Sequence, residues 1–140
     1  NGDDYKFELG KGITLRGGKD ITIIATGLMV SRALEAVKAL EKKGIDARLI
    51  NIHTIKPIDR DIIIKAAKET GKIVTVEEHS VIGGLGDAVS SVLCEEYPAP
   101  VVKIGVNDQF GHSGPADDLL EQYGLCASHI EEVTEKALGK

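Results

Sequence analysis

The chain has 140 residues, 42% of them hydrophobic and 28% charged, with 17 basic and 22 acidic side chains and a net charge of −5. That length suits one domain, and a chain of this size buries roughly 70% of its unfolded surface without a metal or disulfide to hold it. No stretch is rich in Lys and Arg without acids close by, so the composition argues against a nucleic-acid footprint, and the acidic balance mostly means solubility.

Near the start, "GITLR" (12–16) alternates apolar and polar residues and is followed by "GGK". About four residues join it to the next strand. No crossover helix fits there, so it is predicted to be an antiparallel edge strand. "ITIIA" (21–25) is a continuous β-branched run, as in a strand covered on both faces. Val30, Ala33, Leu34, Val37 and Leu40 then fall at helical spacing, and Gly44 takes the left-handed position after the helix. "DARLINIH" (46–53) is the next strand. Asp59 is placed to cap a helix over about 60–70 that stops at Gly71.

"KIVTVEE" (72–78) is a further strand. Beyond "HSVIGG", Leu85, Ala88, Val89, Val92 and Leu93 make a buried helix stripe, closed by Pro98. "VVKIGVN" (101–107) is the last strand, with Val102, Ile104 and Val106 on one face. "DQFGHSG" is a loop, a short helix begins near Pro115 and ends at Gly124, and a final helix covers about 127–138. Strands alternating with helices imply a parallel sheet covered on both faces with right-handed crossovers: four parallel strands and one antiparallel edge strand.

Four segments, "GKDITIIATG", "INIHTIKPID", "TVEEHSVIGGLGDAV" and "GVNDQFGHSGPADDLLEQYGL", occur in order along nearly the whole chain. Together they resemble the C-terminal domain of the transketolase family. The resemblance is nearest to the C-terminal half of split transketolases, and extends to the equivalent domains of 1-deoxyxylulose-5-phosphate synthase and the 2-oxoacid dehydrogenase E1 β subunit. It implies a three-layer α/β/α sandwich whose five-stranded mixed sheet has order 1-3-2-4-5, strand 1 antiparallel. Thiamine-diphosphate enzymes of this family also need a domain with a metal-holding Gly-Asp-Gly motif and a pyrimidine domain with a Glu that drives the cofactor. Here Gly2–Asp3 and Gly86–Asp87 are not followed by Gly, and three such domains do not fit in 140 residues.

The resemblance therefore implies a single C-terminal domain over residues 1–140, with 1–11 a linker from an upstream pyrimidine domain. The chain itself is expected to hold no cofactor and to catalyse nothing. The complete parent is expected to use thiamine diphosphate and a divalent metal, Mg²⁺, to transfer a two-carbon ketol unit between sugar phosphates in the pentose phosphate pathway. Expected partners are the pyrimidine domain of the same parent chain and an N-terminal transketolase subunit, in a dimeric or heterotetrameric assembly, with no nucleic acid and no membrane. The longest apolar stretch, "ITIIATGLMV", is too short to span a bilayer and the polar N-terminus is unlike a signal peptide, so a cytoplasmic location is expected.

In the implied strand order, the strands ending at Ala25 and Glu78 are neighbours whose helices leave to opposite faces. Open α/β sheets bind ligands at such a switch point. Gly27, Glu78, His79, Ser80, Gly83 and Gly84 gather there. They are read either as a regulatory pocket for a small anion or nucleotide at free helix-end amides, or as turn glycines and a domain interface. Gly84-Leu85-Gly86 is too far from its strand for a dinucleotide fingerprint. Glu77 and Glu78 alternate to opposite faces, so they are not a carboxylate pair, and one of them is expected at a domain contact.

His79 lacks an evident nucleophile, because Ser80 alone is no triad. His53, His112 and His129 have no metal-site spacing with it. Cys94 and Cys126 match no zinc or redox motif and are expected as reduced thiols. Asp108 is expected to turn the chain and Phe110 to anchor its loop. Cys126 stands where relatives of this kind carry a Thr helix cap, so Ser128 with Glu131 is expected to supply a capping box instead.

Overall fold

The computed structural model describes residues 11–27, 29–53, 55, 58–80, 84–106 and 126–139. The loop and short helix expected between residues 107 and 125, with Asp108, Phe110 and His112, lie outside them, as do Gly83 and the segment 1–10.

Among the described residues, five strands and four helices follow in chain order: β1 (Ile13–Arg16), β2 (Ile21–Ala25), α1 (Met29–Lys42), β3 (Ala47–Asn51), α2 (Arg60–Thr70), β4 (Ile73–Ser80), α3 (Leu85–Glu96), β5 (Val101–Val106) and α4 (Ala127–Ala137). The strands form one sheet of order β1-β3-β2-β4-β5. β1 runs antiparallel to β3, and the other neighbours pair in parallel. The expected mixed sheet and strand order are therefore present.

Side-chain alternation divides the core in two. On one face Ile21, Ile23, Ala25, Leu49, Val74 and Val76 pack with Met29, Ala33, Val37 and Leu40 of α1 and Ile130 of α4. On the other, Ile24, Ile50, Ile52 and Ile73 pack with Ile63, Ala66 and Ala67 of α2 and Leu85, Val89, Val92 and Leu93 of α3. Central β2 is buried at all five positions, which is why its sequence shows no polar alternation. Its single hydroxyl is satisfied: Thr22 Oγ1 lies 2.8 Å from Thr70 Oγ1. Lys43, directly after α1, ties that helix end to α4 through Glu131 (2.5 Å) and Glu135 (3.1 Å), and these two carboxylates, Glu131 first, push its amine above the usual lysine value. Half-exposed pairs of this kind add little to stability.

Local signals set the helix ends. Gly44 and Gly71 both have left-handed backbones, at φ 82° and 80°. Asp59 is buried at the N-terminus of α2, where Oδ1 accepts from Ile62 N (3.3 Å) and Oδ2 from Gly12 N (2.9 Å). One carboxylate thus caps a helix and ties down the entry to β1. Asp59→Ala is expected to lower unfolding free energy by about 1.5 kcal/mol, and Asp59→Asn by about half that, since the amide keeps one acceptor. Urea unfolding of the three proteins checks the order.

The capping box expected at Ser128 is not formed. The N-cap of α4 is Cys126, in extended conformation, and its carbonyl accepts from His129 N and Ile130 N, both at 3.1 Å. Burial of Ile130 and Thr134 fixes the phase of the helix, which starts it at Ala127 and puts Ser128 inside the first turn. Cys126 therefore holds the capping position implied by the resemblance, but with no side-chain cap hydrogen bond.

Candidate functional site

The two core faces define where the helices leave the sheet. β2 feeds α1 on one face, and its neighbour β4 feeds α3 on the other. The switch point expected from the sequence is therefore real, and lies at the C-terminal ends of β2 and β4. Thr26 N donates to Val76 O there (3.3 Å), extending the β2–β4 pairing past the end of β2.

Gly27 follows, with a left-handed backbone at φ 63°. A Cβ at Gly27 would collide with Glu78 Oε1, so only glycine lets the half-buried Glu78 side chain lie against this turn. β4 runs two residues further than the sequence reading placed it, to Ser80. Its pairing with β5 slips on the way: the four-residue step from Val76 to Ser80 runs beside the two-residue step from Ile104 to Val106. Glu77, Glu78 and His79 fall inside this irregularity, which re-aims side chains at a sheet end.

Glu77 and Glu78 do face opposite ways. Glu78 turns toward Gly27 and the start of α1. Glu77 is 1% exposed and turns beneath α3, where Oε1 accepts from Leu85 N (2.8 Å) and Oε2 from Gly86 N (2.9 Å). The N-cap of α3 is Gly84, which has no side chain to serve those amides. A carboxylate from the preceding strand does so instead, at the end of the helix where negative charge is favoured. The sequence reading assigned Glu77 only to a face. The available signal was a helix beginning directly after glycine, with no Ser, Thr, Asp or Asn to cap it.

Of the six residues the sequence brought forward, Gly27 and Glu78 are in contact distance, and Gly84 is the N-cap of α3. His79 and Ser80 end β4 at the same rim. His53 lies just past β3, and His129 is in α4, 3.8 Å from Glu132. Among the described residues no three His, Cys, Asp or Glu side chains are grouped to hold a metal. The switch point does not fit a diphosphate–metal group: two acidic side chains stand there, and the first amides of α3 already carry Glu77. A groove of about 540 Å³ opens elsewhere, between β1 and α2. Its lining mixes both signs, including Lys11, Arg48, Asp61, Lys65 and Glu69, and Arg48 is paired to Glu69 at 2.7 Å.

Comparison with known proteins adds the family. The family model described as the C-terminal domain of transketolase matches residues 10–130. The chain belongs to the transketolase C-terminal domain family. A 6-deoxy-6-sulfo-D-fructose transketolase subunit from Clostridium sp. (strain MSTE9) is 46% identical over 138 residues, 96% of this chain and 43% of that protein. A 1-deoxy-D-xylulose-5-phosphate synthase from Heliobacterium modesticaldum is 44% identical over 129 residues, 91% of this chain and 20% of that enzyme.

A solved split-gene transketolase, described as an inactive β4 tetramer, superposes with a TM-score of 0.92 at 55% identity. The match covers 97% of this chain and 45% of that one. This transketolase C-terminal domain thus spans less than half the length of the transketolase subunits it matches. Among its described residues no helix is long and apolar enough to cross a membrane.

Proposed function

We propose that this chain is the non-catalytic assembly domain of a thiamine-diphosphate-dependent transketolase made of two polypeptides. The rim formed by Gly27, Glu78, His79, Ser80, Gly83 and Gly84 is its contact with the pyrimidine domain of the same parent chain. Residues 1–11 are the link to that domain, and an N-terminal subunit completes a heterotetramer. The cofactor and its Mg²⁺ belong to those other parts, and the cytoplasm is the place of the reaction. The observation that carries this reading is the engagement of the α3 amides by Glu77. A ligand anion at this helix end would have to displace a buried carboxylate, whereas a protein surface can rest on the rim as it stands. The similarity to transketolase subunits that are themselves part-assemblies supports the same reading.

The test has two arms. The purified 140-residue chain is expected to turn over no sugar phosphate, with or without thiamine diphosphate and Mg²⁺. In the full-length polypeptide, Glu78→Arg is expected to loosen docking on the pyrimidine domain, and through it to weaken association with the N-terminal subunit about tenfold, read by sedimentation. Turnover by the chain alone would overturn the assignment. Saturable binding of a sugar phosphate or nucleotide, abolished by Gly84→Val, would replace it with a regulatory anion-binding module.

A further inference from the structure

We propose that Glu77 is a positioning residue for assembly: it clamps the two ends of the β4–α3 connection so that the rim is set to dock on the pyrimidine domain, the arrangement on which the N-terminal subunit assembles. This rests on the assembly reading above, in which Glu77 only keeps a ligand anion from the α3 amides, and gives that residue a role in the assembly itself.

The argument starts from cost. A carboxylate that is 1% exposed is expensive to bury, and it is tolerated only where its oxygens are matched. Both are matched here, by two backbone amides at 2.8 and 2.9 Å. Capping α3 alone does not require this arrangement. A Ser or Asp at position 84 would serve the same helix end with a short, exposed side chain. The sequence instead has Gly84 there, and reaches back eight and nine residues for its acceptor.

What a remote cap does and a local one cannot is join two elements. Glu77 sits on β4 where β4 slips against β5, between the pairs Val76–Ile104 and Ser80–Val106, so at Glu77 itself the regular ladder does not hold the strand as it nears its end. Its two hydrogen bonds hold that end to the first turn of α3, with Glu78 one residue away on the rim. Below the clamp α3 is pressed close to the sheet: a Cβ on Gly86 would meet Thr75 Oγ1 at 2.9 Å. A surface whose parts are already fixed loses less entropy on binding. Glu77 touches no partner in this arrangement. It acts through the connection it closes.

The experiment uses the full-length polypeptide and its N-terminal subunit. Assembly affinity is measured by titration, well below the unfolding temperature, for wild type, E77Q, I63A and E78R. Ile63 is fully buried in α2, a helix that carries none of the rim residues, so I63A lowers stability by opening a cavity and serves as the control. In E77Q one amide N–H faces an NH₂ group in place of an oxygen. E77Q is expected to weaken assembly at least tenfold and to speed hydrogen exchange at Leu85 and Gly86 more than tenfold, while I63A stays within twofold of wild type.

The clamp proposal is overturned if E77Q assembles within twofold of wild type while E78R is weakened, or if I63A loses as much affinity as E77Q. Unchanged assembly of E78R would instead remove the interface reading beneath it. If E77Q does not fold, wild-type exchange decides. Leu85 and Gly86 amides must be as slow as Val89 in the middle of α3 before the partner is added, and fast exchange there overturns the clamp.

Discussion

Gly18→Ala is expected to lower unfolding free energy by about 3 kcal/mol, whereas Gly17→Ala leaves it unchanged or raises it by up to about 0.5 kcal/mol. The difference comes from the route the chain takes. β1 and β2 lie on opposite sides of β3, yet only residues 17–20 join them. The connection must therefore step over the first residues of β3. Gly18 is the point of crossing: a Cβ there would stand 2.5 Å from the carbonyl carbon of Ala47 and the nitrogen of Arg48, and 2.8 Å from Ala47 O. Those are backbone atoms of a strand paired on both sides, so they cannot retreat.

The crossing is also pinned from above and below. Arg48 Nε donates to Gly18 O (3.0 Å), Asp20 N donates to Asp46 O (2.9 Å), and Asp46 N donates to Asp20 Oδ2 (2.8 Å). Gly17 has nothing within 4 Å of its notional Cβ and no left-handed backbone, so alanine there only narrows the unfolded ensemble. Thermal unfolding checks the pair: Gly18→Ala should lose roughly 10 °C and Gly17→Ala should lose none. Equal effects would mean that the connection does not cross where the structure puts it.

These two glycines mark the boundary of what the sequence could say. The shortness of the connection that begins with "GGK" excluded a helical crossover, which correctly made β1 an antiparallel edge strand. That one glycine is compelled and the other free depends on contact with residues about thirty positions away, and no local pattern carries that. Other features were local and therefore legible. Gly44 and Gly71 end helices because only glycine adopts the left-handed cap at no cost. Asp59 caps because it precedes an apolar-periodic run. β2 is an unbroken apolar run because both of its faces are covered.

The strand order itself came through the resemblance, since periodicity fixes elements but not their neighbours. At the candidate site, alternation along β4 placed Glu77 and Glu78 on opposite faces, and this held. The clamp did not follow from it, because the partner of Glu77 lies beyond a connection whose course alternation cannot give. The start of α4 was misread for a related reason. Ser128 and Glu131 have capping-box spacing, but the phase of that helix is set by Ile130 against the core, a tertiary contact that outranks the local signal.

Gly86→Val should cost about 3 kcal/mol, and Gly86→Ala about 1–2 kcal/mol, although both replacements favour a helix in isolation. In a helix interior alanine is better than glycine by about 1 kcal/mol. Against that gain stands the sheet. A Cβ at Gly86 would lie 2.8 Å from Lys103 Cγ, 3.0 Å from Lys103 Cδ and 2.9 Å from Thr75 Oγ1. The Lys103 stem can swing, at the cost of its partly exposed pairing with Asp87. Thr75 cannot, because it is fully buried on β4, which is paired to β2 on one side and β5 on the other.

The first turn of α3 must therefore lift, and it lifts where Leu85 N and Gly86 N meet Glu77. Overpacking of this size costs roughly 2–3 kcal/mol before any loss at the clamp, so it outweighs the helix gain. Thr75 provides the internal check. Its hydroxyl has no hydrogen-bond partner among the described residues, so Thr75→Ala removes the obstacle without stranding a donor or acceptor. Gly86→Ala is then expected to cost at least about 1 kcal/mol less in the Thr75→Ala background than in the wild type, a coupling within the range neighbouring core residues show. Strict additivity of the two substitutions in urea unfolding would mean that α3 does not rest on Thr75. The close seat of the helix that brings its first amides down to Glu77 would then have to come from another contact.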